Sequence, residues 1–170
     1  MSTDRSKDEN AQTRNVLFSI VEDAVAASRY RTADIAATPT TGKEDSSDVV
    51  PHQTGENTVT AQTGGIYPFR GQVFFKWQSL GTKVRFEKIE YKIEKGNNNG
   101  GNNANVSIGL IGGSIITAKT DHGIQDGQWH TLTTNLEVNW SYAIFLVAEF
   151  IFDKSMAADP EASAVDTIYL

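Results

Sequence analysis

Apolar and polar residues alternate along much of this chain with the period of a strand, not that of a helix. Val73, Phe75 and Trp77 point one way while Gln72, Phe74 and Lys76 point the other, which predicts a strand with one strongly apolar face. Thr58-Val59-Thr60-Ala61 alternates in the same way, and Gly64-Gly65 marks a turn between the two. From Thr82 to Lys95 the alternation changes parity: Val84 and Phe86 are even, Ile89, Tyr91 and Ile93 odd. One extra residue near Glu87-Lys88, held in a β-bulge, accounts for the change. Ala104–Ile111 and Ser114–Ala118 flank Gly112-Gly113, a two-residue hairpin signal.

The two longest strand candidates are Trp129–Val138 and Ser141–Phe152. The second is apolar on both faces except at Glu149, as expected of a central strand. Val165–Leu170 is a last strand, expected to lie within the sheet. Eight or nine strands with glycine between them and little helix predict an all-β fold: an antiparallel β-sandwich, jelly-roll-like.

Elsewhere the pattern fades. Residues 1–13 are polar and charged without periodicity and read as a disordered tail, so the sandwich domain is expected over 14–170. In Asn15–Val21 the apolar residues fit a helix continuing through Ala27, and they fit equally a buried strand that stops at Glu22-Asp23. Residues 36–56 are rich in Thr, Ser, Pro and Gly and predict a long loop, with a short edge strand at Asp48-Val49-Val50. Gly96–Asn103 reads as a flexible connection.

Composition removes several function classes. The net charge is −6, and the basic residues Lys83, Arg85, Lys88, Lys92 and Lys95 alternate with Glu87, Glu90 and Glu94. That mixture describes a solvated strand face and argues against a nucleic-acid surface. The chain has no cysteine, which excludes disulfides, zinc–thiolate sites, iron–sulfur clusters and a cysteine nucleophile. No apolar window reaches the length of a membrane-spanning helix. The polar first ten residues lack a signal-peptide core, so cytoplasmic residence is expected. The sequons at Asn105 and Asn139 accordingly carry little weight.

Catalytic signals are sparse. The histidines are His52, His122 and His130, with Asp121 beside His122 and Asp126 between it and His130. Imidazole and carboxylate suit several metals, but this spacing matches no ligand motif, and Asp121–Gly127 reads as a turn-rich loop. There is no Gly-x-Ser-x-Gly elbow and no phosphate loop with its lysine, so neither enzyme chemistry nor a cofactor is expected. Carbohydrate recognition fits better. It needs flat aromatic surface for the C–H faces of a sugar ring, with amides and carboxylates for the hydroxyls. Trp129 and Trp140 bracket one strand, and Asp121, His122, Gln125, Asp126 and Gln128 lie in the adjoining loop. Trp140, next to Asn139 and Ser141, is expected to be the more exposed. The competing reading buries both rings in the core.

Two resemblances point the same way. The segment Gln128-Trp129-His130-Thr131-Leu132, the long apolar strand after it and the ending Val165-Asp166-Thr167-Ile168-Tyr169-Leu170 resemble carbohydrate-binding jelly rolls. The opening Asn15–Asp23, the lead Thr54–Ala61, Val73–Leu80 with its Ser-Leu ending, Glu90-Tyr91-Lys92-Ile93 and Tyr142–Asp153 resemble in order the small bacterial inclusion-body proteins of the PixA/AidA type. That family begins with a short apolar strand, which favours the strand reading of Asn15–Val21. The Asn/Gly insertion and the reduced Asp159-Pro160 ending depart from its pattern. The resemblance implies a cytoplasmic, lectin-like protein that forms homo-oligomers, with carbohydrate as ligand. An accessory structural protein of a phage or capsid is the alternative for the same sandwich.

Overall fold

The computed structural model describes residues 53–65, 68–94, 101–154 and 158–169. The expected tail, the run Asn15–Val21, most of the loop 36–56 and most of the Asn/Gly connection lie outside them. Among the described residues there are eight strands and no helix: β1 (Thr54–Gln62), β2 (Arg70–Ser79), β3 (Lys83–Ile93), β4 (Ala104–Ile111), β5 (Ile115–Gly123), β6 (His130–Asn139), β7 (Ile144–Ile151) and β8 (Glu161–Ile168).

The strands form two four-stranded sheets, ordered β1-β2-β3-β6 and β5-β4-β7-β8, and every pairing is antiparallel. β6 returns beside β3 and β7 beside β4. Those are Greek-key returns, and the two sheets stack face to face as the all-β sandwich anticipated from the alternation. Val73, Phe75, Phe86 and Ile89 from the first sheet meet Ile108, Leu110, Leu146 and Phe150 from the second in the shared core. Phe75 and Phe86 pack edge to face at 6.1 Å, and Phe152 stacks on both Phe150 and Phe69. Aromatic pairs in these geometries add to simple area burial.

The parity change in β3 is a bulge. Lys76 pairs with Lys88 and Trp77 with Phe86, leaving Glu87 without a partner on β2. The extra residue turns Val84 and Phe86 to the same side as Ile89, Tyr91 and Ile93, and all five are buried. β7 is central, between β4 and β8, as its two-sided apolar pattern requires.

Three expectations are corrected. β1 starts at Thr54, not Thr58, and pairs with β2 from its first residue. Gly55 had the look of loop composition, yet it is there because it faces Trp77: a Cβ at that position would overlap the indole ring. The β4–β5 turn spans Gly112–Ser114 between the paired Ile111 and Ile115. Its glycines serve close approach, since a Cβ on Gly112 or Gly113 would lie 2.7 Å from the carbonyl of Asn139 or Trp140. Finally, among the described residues β8 lies at the edge of its sheet and not inside it, and it begins earlier, at Glu161. β4 occupies the other side of β7, so among the described residues β8 forms the margin.

That margin is closed by side chains. Trp77 Nε1–H donates to Asn57 Oδ1 at 2.8 Å, and Asn57 Nδ2–H donates to Asp166 Oδ2 at 2.8 Å. Asp166 Oδ1 also accepts the Thr167 amide. The chain Trp77–Asn57–Asp166 thus ties β2 and β1 of one sheet to β8 of the other.

Candidate functional site

At the end of the sandwich where β5 passes to β6, the connection Ile124–Trp129 is held at every step. Ile124 donates its amide to the Tyr91 hydroxyl at 3.1 Å, and Gly127, with φ of 77°, donates to the Ile93 carbonyl at 2.9 Å. Gln125 is only 2% exposed. Its amide nitrogen donates to the carbonyls of Gly101 and Asp153, and its Oε1 accepts the Asp153 amide. A buried primary amide satisfied on both sides is a latch between three chain segments.

Asp126 completes the clamp. Its Oδ1 accepts the Gln128 amide at 2.8 Å and lies 2.9 Å from His130 Nε2. Those bonds, the histidine's first, hold the Asp126 carboxyl below its ordinary value of 3.8. The His130 ring in turn stacks on Tyr91 at 5.5 Å. The start of β6 is thereby fixed in position, and Trp129 directly precedes it.

Trp129 is 42% exposed and stands on the outer face of the first sheet. Its ring meets Phe74 of β2 edge-on at 6.2 Å, and Lys92 Nζ of β3 lies 5.9 Å from its centroid. Phe74 and Lys92 both belong to the polar parity of their strands, opposite to the core residues Val73 and Ile93. In register beside them are Gln72, paired with Lys92, and Glu90, paired with Phe74. Gln72 Nε2–H donates to Thr60 Oγ1 at 3.3 Å. The result is an aromatic platform bordered by an amide, hydroxyls and an ammonium group.

The residues singled out from sequence divide sharply. Asp126, Gln128 and Trp129 fall together at this end, with Gln128 exposed and Asp126 committed to internal bonds. Gln125 is spent on the latch. Asp121 and His122 are on β5, an outer strand of the other sheet among the described residues, and not in a loop. There Asp121 pairs with Lys119 at 3.3 Å, and the His122 amide donates to Thr120 Oγ1. Trp140 reverses the expectation for the two tryptophans. It is half-buried against the core, its amide donating to the Thr82 carbonyl at 2.8 Å. Trp140 also sits at the far end of β6, about 35 Å from Trp129 at the usual rise of a strand. The two rings cannot face one ligand. Phe74, Gln72 and Lys92 were not singled out from sequence, although the alternation of β2 and β3 had already put them on the outward parity.

Among the described residues no three His, Asp or Glu side chains converge on a point where a metal could be held, and no helix is long and apolar enough to cross a membrane. Comparison with protein-family models, with curated proteins and with solved structures gave no significant match. Fold and surface together define an antiparallel β-sandwich carrying an exposed aromatic platform on one outer face.

Proposed function

We propose that this is a non-catalytic, lectin-like protein that binds carbohydrate on the outer face of sheet β1-β2-β3-β6 and self-associates in the manner of an inclusion-body protein. The observation that carries the reading is the exposure of Trp129 on a surface held rigid from below. The indole offers a flat apolar surface to solvent beside the Phe74 ring, and the polar groups around it suit a sugar. Pyranose C–H faces stack on the indole, while Gln72, Thr60 and Gln128 offer donors and acceptors for hydroxyls. The clamp formed by Gln125, Asp126 and His130 removes most of the ordering cost that binding would otherwise carry.

Support for self-association comes from the second sheet. Its edge strands expose Ile115 and Val165, and Tyr142 and Tyr169 are exposed at the end where β6 passes to β7. Among the described residues these edges carry no further strand, and edges bearing apolar side chains are the usual route to strand pairing between copies. A glycan array run with wild type and Trp129→Ala, alongside light scattering, tests both halves. The reading expects a restricted set of glycans retained by wild type, lost in Trp129→Ala, and a scattering mass above that of one chain. No retained glycan, or retention that ignores Trp129→Ala, would dismiss the carbohydrate half; a strict monomer at all concentrations would dismiss the other.

A further inference from the structure

We infer that the platform selects acidic sugars, those carrying a carboxylate such as a hexuronic or a sialic acid, and that Lys92 is the residue that selects them. The inference rests on the carbohydrate reading of Trp129 and adds the substrate class.

Charged groups surround the Trp129 ring, and they differ in how they are paired. Every described carboxylate close to the platform is already engaged. Glu90 Oε1 is 2.7 Å from Lys88 Nζ, Glu94 Oε1 is 3.1 Å from Arg70, and Asp126 is bonded to His130 and to the Gln128 amide. The neighbouring cations are matched as well: Lys76 meets Glu87 at 3.3 Å, and Arg85 and Lys83 share Glu137. Lys92 differs. Among the described residues no carboxylate pairs with it, and its ammonium leans toward the Trp129 ring instead.

An ammonium group over an indole gains from the ring's quadrupole but keeps its hydrogen-bond donors unspent. A sugar stacked on the exposed part of Trp129 therefore brings its substituents next to three free N–H donors of positive charge. A hydroxyl uses one of them. A carboxylate uses the charge too, and charge-assisted bonds are the stronger kind. In a chain of net charge −6 a cation with no ion-pair partner among the described residues, set beside an exposed aromatic, is a local feature and not a by-product of overall basicity. Lys92 is also half-buried, so its aliphatic stem is packed and its head group held near the ring.

The test uses matched probes that differ only in the acid. Trigalacturonate is compared with its carboxyl-reduced trimer, and sialyllactose with lactose, by titration calorimetry on the full chain at two salt concentrations. The two pairs separate uronic from sialic recognition. The expected result is that at least one acid binds about five- to tenfold tighter than its neutral counterpart, the range of a partly exposed charge-assisted bond. Raised salt should erode that preference and leave the neutral probe alone. Lys92→Gln should bring the affinity for the acid down to that for its neutral counterpart, and Trp129→Ala should weaken both members of a pair. Equal binding of acid and neutral probes by wild type, or an acid preference that persists in Lys92→Gln, overturns the inference yet leaves the platform standing. Binding that is indifferent to Trp129→Ala, or no binding of any probe, overturns the platform and the inference together.

Discussion

Glu149 offers the sharpest test of the sheet arrangement. It lies on β7, the central strand of its sheet, flanked in register by Ser107 of β4 and Ser163 of β8. Among the described residues nothing donates to its buried Oε1. Burial pushes the carboxyl up from its ordinary 4.5 to about 7, and Glu161 on the adjacent strand adds like-charge repulsion. Because the folded value is raised, the folded chain holds a proton that the unfolded chain has released over the window from about 4.5 to 7. Stability is therefore greatest below that window and falls as pH rises through it. A fully shielded shift of this size would be worth about 3 kcal/mol, at 1.36 kcal/mol per unit. Glu149 is only half-buried, and solvent screening reduces the expected cost to about 1–2 kcal/mol. Glu149→Gln keeps the shape and removes the charge. Urea unfolding followed by tryptophan fluorescence from pH 4 to 8 should show wild type and variant alike at pH 4, with the variant more stable by that amount at pH 8. A variant no more stable at pH 8, or a gap that is already open at pH 4, would refute the placement of this side chain.

Other substitutions probe the clamps. Asn57→Ala breaks the link between the sheets and strands the buried Trp77 N–H, so it should cost about 1–3 kcal/mol in urea unfolding; a change inside measurement error would contradict the bridge. Gln125→Ala should cost about 2–3 kcal/mol and speed amide exchange at Gly101 and Asp153, whereas unchanged exchange there would mean the latch is idle. Gly71→Ala sets a Cβ 2.5 Å from the Phe150 ring and should destabilise by about 1–3 kcal/mol, with Phe150→Leu recovering part of the loss in a double mutant. If Phe150→Leu makes the pair additively worse, the predicted clash is not there.

What was legible in the sequence is what alternation alone encodes. The β3 bulge could be placed at Glu87-Lys88 because a strand buries one face, and five apolar side chains of mixed parity must still reach it. β7 declared itself central through its two apolar faces. Pairing order is another matter. β8 shows small and polar residues facing inward, Ala162, Ala164 and Asp166, and nothing local says that it pairs with β7. The tryptophans misled for a related reason. Asn139 and Ser141 make Trp140 look like a turn residue, but its bond to Thr82 folds it back over the core. Gln125 looks like loop polarity until Gly101 and Asp153, both more than twenty positions away, arrive beside it. Long-range partners of this kind leave no local trace.

The central claim is that recognition takes place on the outer face around Trp129, and the chain's three tryptophans allow it to be read directly. Their indole N–H resonances, assigned through Trp77→Phe, Trp129→Phe and Trp140→Phe, can be followed in nitrogen-15 correlation spectra while trigalacturonate or sialyllactose is added. The account predicts that the Trp129 signal moves with saturation, while Trp77, bonded to Asn57, and Trp140, at the far end of β6, hold still. Movement of Trp140 with Trp129 unmoved would contradict it.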